Sequence, residues 1–273
     1  MSKRILQGFK FIFILTLLFQ LSHAQQKDSV KVTSSFTGSL GATSNGISII
    51  PTFSLNAPAL NFLLSVRKNK FSFDPDIRLT FDGKKGGMVF WFRYRPFQGK
   101  KFNLQLGAHP AYNFALRDIT EGTKKTTITQ ARRFVAAEIF PSFRVSNKFG
   151  LGLYYLNGFG MQLDGPQDTR FIALNANISG IRIFKNHTLQ YTPQFYYLNI
   201  DRESGTYYTH TIGISSSKHP LLIQSTVNQE IKTNISGSRN FSWNLSLFYT
   251  FNNKYGKRMG EDVYRIEDKI INF

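Results

Sequence analysis

Ten charged side chains recur at spacings that keep them on one side of an extended chain. They are Asp74, Asp76, Arg78 and Asp82; Arg93 and Arg95; Arg132, Glu138 and Arg144; and Glu230. Within each group the separations are even, so on a strand the members share a face. Carboxylates interleaved with guanidiniums on one wall support two kinds of chemistry. Matched charges neutralise each other in an ion-pair network that fills an interior. Unmatched charges leave a transverse field across a constriction, which selects small polar or anionic solutes. Neither arrangement tolerates hydrocarbon, so these faces must turn toward water or toward each other.

Other chemistry finds little support. The sequence contains no His-Glu-x-x-His pair, no phosphate-binding Gly-x-x-x-x-Gly-Lys-Ser/Thr loop and no glycine-rich nucleotide fingerprint. Asp74-Pro75-Asp76 offers a carboxylate pair to a cation, but it lies beside arginines, and a turn or bulge is the better reading of the proline. Apart from His23, the histidines are His109, His187, His210 and His219, and the residues two places on are Ala111, Leu189, Ile212 and Leu221. None is a serine that a histidine would activate as a nucleophile. The expectation is a protein that is not an enzyme and carries neither cofactor nor metal.

The elements that must position the charges are strands. From Arg239 to Phe251, Phe241, Trp243, Leu245, Leu247, Tyr249 and Phe251 alternate with Ser242, Asn244, Ser246 and Thr250, and Phe248 alone breaks the pattern. Aromatic residues sit at both ends of the apolar face and leucines in its middle, the order of a lipid-facing strand with girdles at two interfaces. The same alternation recurs along the chain. Phe71–Asp82 places Phe71, Phe73, Ile77, Leu79 and Phe81 opposite the first charged group. Met88–Phe97 and Lys101–Ala115 follow, then a polar loop over Arg117–Thr127, then strands over Gln130–Val145 and Phe149–Met161. Arg170–Phe184 and His187–Ile200 form a hairpin, as do Tyr207–Ser217 and Leu221–Ile231. Ile47–Arg67 reads either as one strand with a bulge near Pro58 or as two strands.

The sum is twelve strands or thirteen. Bacterial single-chain barrels have an even number, short periplasmic turns and longer external loops. With twelve, Lys68–Lys70, Phe97–Lys100, Ser146–Lys148, Lys185–Asn186 and Lys218–Pro220 all fall on one side as short turns, and every longer connection falls on the other. The predicted fold is therefore all-β, an antiparallel up-and-down transmembrane barrel of twelve strands, with ten and fourteen as the neighbouring even counts.

Lys3, Arg4 and Lys10, the apolar run Phe11–Leu21 and Ser22-His23-Ala24 have the layout of a secretory signal over residues 1–24. The barrel then occupies 25–251. Residues 252–273 form a charged periplasmic tail in which Val263, Ile266, Ile270 and Phe273 recur at helical spacing. The 273 residues include 27 Phe and 12 Tyr but no Cys, with a formal charge of +18 and a mean hydropathy of −0.22. A sheet apolar outside and polar inside accounts for that combination, and the lack of cysteine excludes disulfides and lipoprotein processing. Export makes nucleic acid an implausible partner for the basic charge. Anionic lipid and lipopolysaccharide fit it better.

The leader ending His-Ala-Gln-Gln, the alternating strands and the ending Leu-Ser-Leu-Phe-Tyr-Thr-Phe together resemble outer-membrane β-barrel proteins of Bacteroidetes-type bacteria, of a porin-like, uncharacterised kind. Leu245, Leu247, Tyr249 and Phe251 resemble the final-strand signal read by the outer-membrane assembly machinery, although residues 252–273 follow it. The resemblance implies a place in the cell outer membrane, with lipid, lipopolysaccharide and that machinery as partners. Lipid-modifying barrels of the same membrane use His-x-Ser, which this sequence lacks. The expected function is a narrow passive channel or transport accessory for small polar or anionic solutes. The alternative is a non-conducting structural or adhesin-like anchor whose loops or tail bind a partner.

Overall fold

The computed structural model describes residues 31–48, 50, 53–121, 124–257 and 264–266. The leader over 1–24 lies outside the described residues. The chain forms one antiparallel meander: β1 (Lys31–Thr43), β2 (Ala59–Lys68), β3 (Phe71–Thr80), β4 (Lys85–Gln98), β5 (Phe102–Glu121), β6 (Lys124–Arg144), β7 (Phe149–Gly160), β8 (Asp168–Phe184), β9 (His187–Ile200), β10 (Glu203–Ser216), β11 (Leu221–Thr233), β12 (Phe241–Lys257) and the short β13 (Tyr264–Ile266). Each strand pairs with its sequence neighbour, and β1 also pairs with β12 from Thr43↔Ser246 to Lys31↔Lys257. That seam closes twelve strands into a barrel.

The strands are strongly staggered. Successive partners run Ser39↔Leu63↔Asp76↔Val89↔Ala111↔Phe134↔Gly160, from the middle of β1 to the loop end of β7. In the other direction Ser39 pairs Thr250, whose N–H donates to Pro220 O in a turn. A barrel closes only when tilt and stagger agree in this way.

Period-two patterning sorts the side chains. Outward Trp243, Leu247 and Leu153 are 50%, 52% and 50% exposed, whereas Asn244, Ser246 and Phe248, which point inward, are buried. The outer face carries an apolar band around the barrel. The one residue that breaks the alternation of Arg239–Phe251 has a local explanation. Phe248 turns into the lumen, where Gly41 on the neighbouring β1 clears its ring: a Cβ on Gly41 would stand 2.5 Å from Phe248 Cδ1 and 2.3 Å from Leu247 O. Three Tyr-Tyr pairs show the same sorting. Tyr154, Tyr196 and Tyr207 face in, while Tyr155, Tyr197 and Tyr208 face out.

Three expectations are corrected. Ile47–Arg67 is not one strand, because β2 begins only at Ala59. The described residues between Ser44 and Pro58 fold into the lumen: Leu55 is buried, the Phe53 and Phe134 rings are 5.1 Å apart, and Leu55 N donates to Gly46 O at 3.0 Å. Gly46 and Asn56 take positive φ values of 52° and 53° at its two ends, which a strand cannot accommodate. Second, most of Arg117–Thr127 is not loop. β5 and β6 stay paired from Ala115↔Gln130 to Glu121↔Lys124, as a ribbon projecting past the ends of β4 and β7. Arg117, Asp118 and Lys125 on it are exposed, so no apolar alternation marks it. Third, the barrel does not end at Phe251. β12 runs to Lys257 against β1, and Tyr264–Ile266 pairs Lys254–Gly256 as a strand instead of continuing a helical repeat. β12 runs on past the start of β11, and that overhang supplies the ladder. The rest of the tail lies outside the described residues.

Gly41→Val is expected to force the Phe248 ring off its seat and to cost about 1–3 kcal/mol. The urea midpoint, followed by tryptophan fluorescence of the refolded barrel, reads this out. An unchanged midpoint would show that the ring moves aside freely.

Candidate functional site

The lumen divides into two halves. On the side of the long connections it is filled. Leu156, Phe171, Ala173, Tyr196, Leu198 and Tyr207 are buried there, with Ile235 from the β11–β12 loop and Ile50 from the inward segment packed against them. Tyr196 and Tyr207 stack at 4.9 Å with 14° between their planes. Their hydroxyls donate to Asn228 Oδ1 at 2.9 Å and to Thr233 Oγ1 at 2.8 Å. On the side of the short turns a cavity of about 1280 Å³ remains. It runs from the turn residues Ser146, Asn147 and Lys148 up to Ile47, Ile50 and Phe53 of the inward segment.

One wall of this cavity carries the charge network. Ser72, Arg93, Gly107 and Glu138 are successive ladder partners across β3, β4, β5 and β6. Gly107 has a steric role here. A Cβ on it would stand 2.7 Å from Glu138 Oε1, so its absence lets the glutamate lie flat toward Arg93. Arg93 donates from Nε to Glu138 Oε1 at 2.7 Å and from Nη1 to Asp74 Oδ2 at 3.0 Å. Glu138, whose side chain has no exposure, also accepts from Gln105 Nε2 at 2.8 Å and from the Tyr154 hydroxyl at 2.6 Å. Asp74 accepts from Ser65 at 2.5 Å and Ser72 at 3.0 Å, and Ser72 Oγ receives Arg95 Nη1 at 2.9 Å. The Arg93 guanidinium lies 4.3 Å from the centroid of the Trp91 ring, and that ring meets His109 edge-on at 4.1 Å. A buried carboxylate with two charged or phenolic donors and an amide is well satisfied, the condition for a stable buried ion pair.

A second pair anchors the inward segment. Arg78 grips Asp76 with two bonds, from Nε at 2.8 Å and from Nη2 at 2.6 Å, and its Nη1 donates to Ile47 O at 3.3 Å. Lys85 Nζ adds a contact to Leu55 O at 3.4 Å. The facing wall is uncharged. Asn175, Asn177, Thr192, Gln194, Thr211 and Gln224 line it with amides and hydroxyls.

Of the ten charged residues singled out by spacing, Asp74, Arg93, Arg95 and Glu138 meet in one cluster and Asp76 pairs Arg78. Arg144 stands at the turn-side mouth of the cavity. The other three lie at the loop rim. Asp82 sits in the β3–β4 connection, where the Thr80 hydroxyl at 2.6 Å and then Lys84 N–H at 3.1 Å hold its carboxyl below the usual carboxylate range. Arg132 donates to Asp164 of the β7–β8 loop, to its backbone O at 2.5 Å and its Oδ2 at 3.4 Å. Glu230 accepts from Ser238 at 3.4 Å. Even spacing speaks to a shared face and says nothing of height in the barrel. Leu245, Leu247 and Tyr249 lie exposed on the outer band, and Phe251 packs on Phe36 at 5.0 Å. Alternation along Lys101–Ala115 puts His109 on the polar face with Asn103 and Gln105, where the cavity has it, but sequence reasoning singled out neither Trp91 nor the inward tyrosines. The doubled tyrosines were the available signal, since one member of each pair must face in.

No protein-family model matches the chain, and no curated protein matches it. Solved structures similar to it include a KdgM porin in complex with disordered oligogalacturonate (12% identity, 80% of this chain and 99% of that one, TM-score 0.45). Others are a NanC porin (10% identity, 78% and 98%, TM-score 0.47) and an outer membrane channel from Pseudomonas putida F1 (12% identity, 84% and 100%, TM-score 0.49).

Glu138→Ala is expected to cost about 3 kcal/mol, because it leaves a largely buried Arg93 with half its partners. Asp164→Ala at the exposed rim pair should cost under about 1 kcal/mol. Paired urea titrations compare them, and equal losses would deny the buried cluster its special weight.

Proposed function

We propose that the chain is an integral outer-membrane barrel that admits small polar solutes into a narrow lumen and passes them passively. In this reading, residues 1–24 direct export and the short turns face the periplasm. The inward segment after β1, of which 44–48, 50 and 53–58 are described, is read as closing the external half of the passage. The observation that carries the reading is the cavity, which runs from the turn rim to that segment between a charged wall and an amide wall. The apolar outer band supports insertion in lipid, and ring closure meets the requirement that no sheet edge face hydrocarbon. The segment suits a gate. It is tethered by side-chain bonds from Arg78 and Lys85 to its carbonyls, and it belongs to neither flanking strand.

A second reading follows from a different feature. The β5–β6 ribbon extends past its neighbours, and among the described residues no strand pairs its outer edges over Arg117–Glu121 and Lys124–Arg132. Exposed edges of this kind accept a partner strand. A non-conducting anchor presenting this ribbon is the function that remains should the lumen prove sealed.

Planar-bilayer conductance of residues 25–273 separates the two. The native barrel is expected to pass little current. A variant with 46–56 replaced by a short Gly-Ser link should show discrete ohmic steps. A shortened variant that folds, as shown by heat-modifiable gel migration, yet carries no current would sink the channel reading and leave the anchor.

A further inference from the structure

The barrel is electrically lopsided. Every turn opposite the long loops, or its edge, carries a lysine: Lys70, Lys100 and Lys101, Lys148, Lys185 and Lys218. Arg67, Arg95 and Arg144 stand on the adjoining strand ends. Among the described residues no Asp or Glu lies closer to these turns than Asp74, the fourth residue of β3. At the opposite rim the cations are mixed with Asp82, Asp118, Asp164, Asp168, Asp201, Glu203 and Glu230. Among the described residues, the cations of the turn rim therefore have no carboxylates interspersed with them, whereas those of the loop rim do.

Part of this excess points into the lumen. Arg144 and Lys148 line the turn-side mouth of the cavity, and no carboxylate among the described residues lies within ion-pair distance of either. Among the described residues, the Arg95 guanidinium bonds a single group, the Ser72 hydroxyl. Further up, Arg93 is matched by Asp74 and Glu138, and Arg78 by Asp76, so the deep wall is neutralised and the mouth is not. A low-dielectric wall around uncompensated charge focuses the field and concentrates counter-ions.

We propose that the turn-side half of the lumen is an anion-accepting vestibule. A small solute bearing a carboxylate or phosphate enters from the turn end. It places its anionic group at Arg144 and Lys148, and its neutral polar groups lie against Asn175, Asn177, Gln194 and Gln224. Outward lysines in the turns meet headgroups in any basic barrel. Residues directed into the cavity cannot, and these assign the ligand to a soluble anion. The proposal rests on the reading of the cavity as a solute site, but not on conduction through the external half.

The test uses the two tryptophans. Trp243 is outward and Trp91 lines the cavity, so Trp243→Phe leaves Trp91 as the sole reporter. In the refolded full-length mature chain, iodide should quench Trp91 more effectively than neutral acrylamide does. Inorganic phosphate or succinate should suppress the iodide effect saturably at constant ionic strength. Arg144→Glu with Lys148→Glu should lower the iodide quenching constant by roughly tenfold, the scale of field focusing in a charged cleft, while leaving acrylamide quenching unchanged. The acrylamide value and gel migration together establish that the variant is folded. Should it misfold, Arg144→Gln with Lys148→Gln gives the same comparison. Iodide quenching that is equal in native and variant barrels, or unaffected by phosphate and succinate, overturns the proposal. A saturable anion effect in a barrel that never conducts would retain the vestibule and discard only the channel.

Discussion

The structure depends on one backbone requirement: every N–H and C=O of a sheet set in an apolar band needs a partner. A flat meander of these strands would leave β1 and β12 as open edges. The pairing of Thr43 with Ser246 through Lys31 with Lys257 removes both. Closure in turn imposes tilt. The tilt carries a line of hydrogen-bonded partners from mid-strand at Ser39 to the rim at Gly160, and residues that are remote in number become neighbours in height.

Closing the sheet creates an interior that has to be occupied or wetted, and the chain does both. Near the long loops, inward tyrosines and aliphatic residues are covered by two segments that are not strands, Ser44–Pro58 and the loop carrying Ile235. Near the turns, polar side chains leave space. Between the two lies the Arg93 cluster. Its buried carboxylate is tolerable because Arg93, Gln105 and Tyr154 all donate to it. Gly107 makes that geometry accessible. The small residue is as much a part of the cluster as the charged ones, since a side chain there would push Glu138 off the wall.

This division gives the barrel a polarity that its symmetric architecture does not require. The half on the side of the long connections is packed and tethered, with charges of both signs at its rim. The other half is hollow and basic. A solute meeting the turn end would find a focused positive field, then an amide wall, then a neutralised ion-pair cluster beneath a covering segment. The same asymmetry connects the two readings of function, because a sealed external half would still leave a binding vestibule on the other side.

By itself the sequence determined the class of fold and the sidedness of nearly every strand. Alternation at period two is a local property: Phe241 to Phe251 reads outward and inward without knowledge of any other strand. Strand parity and turn length followed from the same local signals at Lys68–Lys70, Phe97–Lys100 and Lys185–Asn186. Only the tertiary structure decided which inward residues meet. Arg93 and Glu138 come together through stagger and through the missing side chain at Gly107, whereas Asp82, Arg132 and Glu230 have the same spacing signature and end at the rim. The same holds for Ser44–Pro58 and for the β5–β6 ribbon. An apolar run looks alike whether it faces lipid or packs inside a lumen, and a paired ribbon in water carries no apolar face to betray it. Height, closure and filling depend on contacts between segments far apart in the chain, so they become definite only once the barrel is closed.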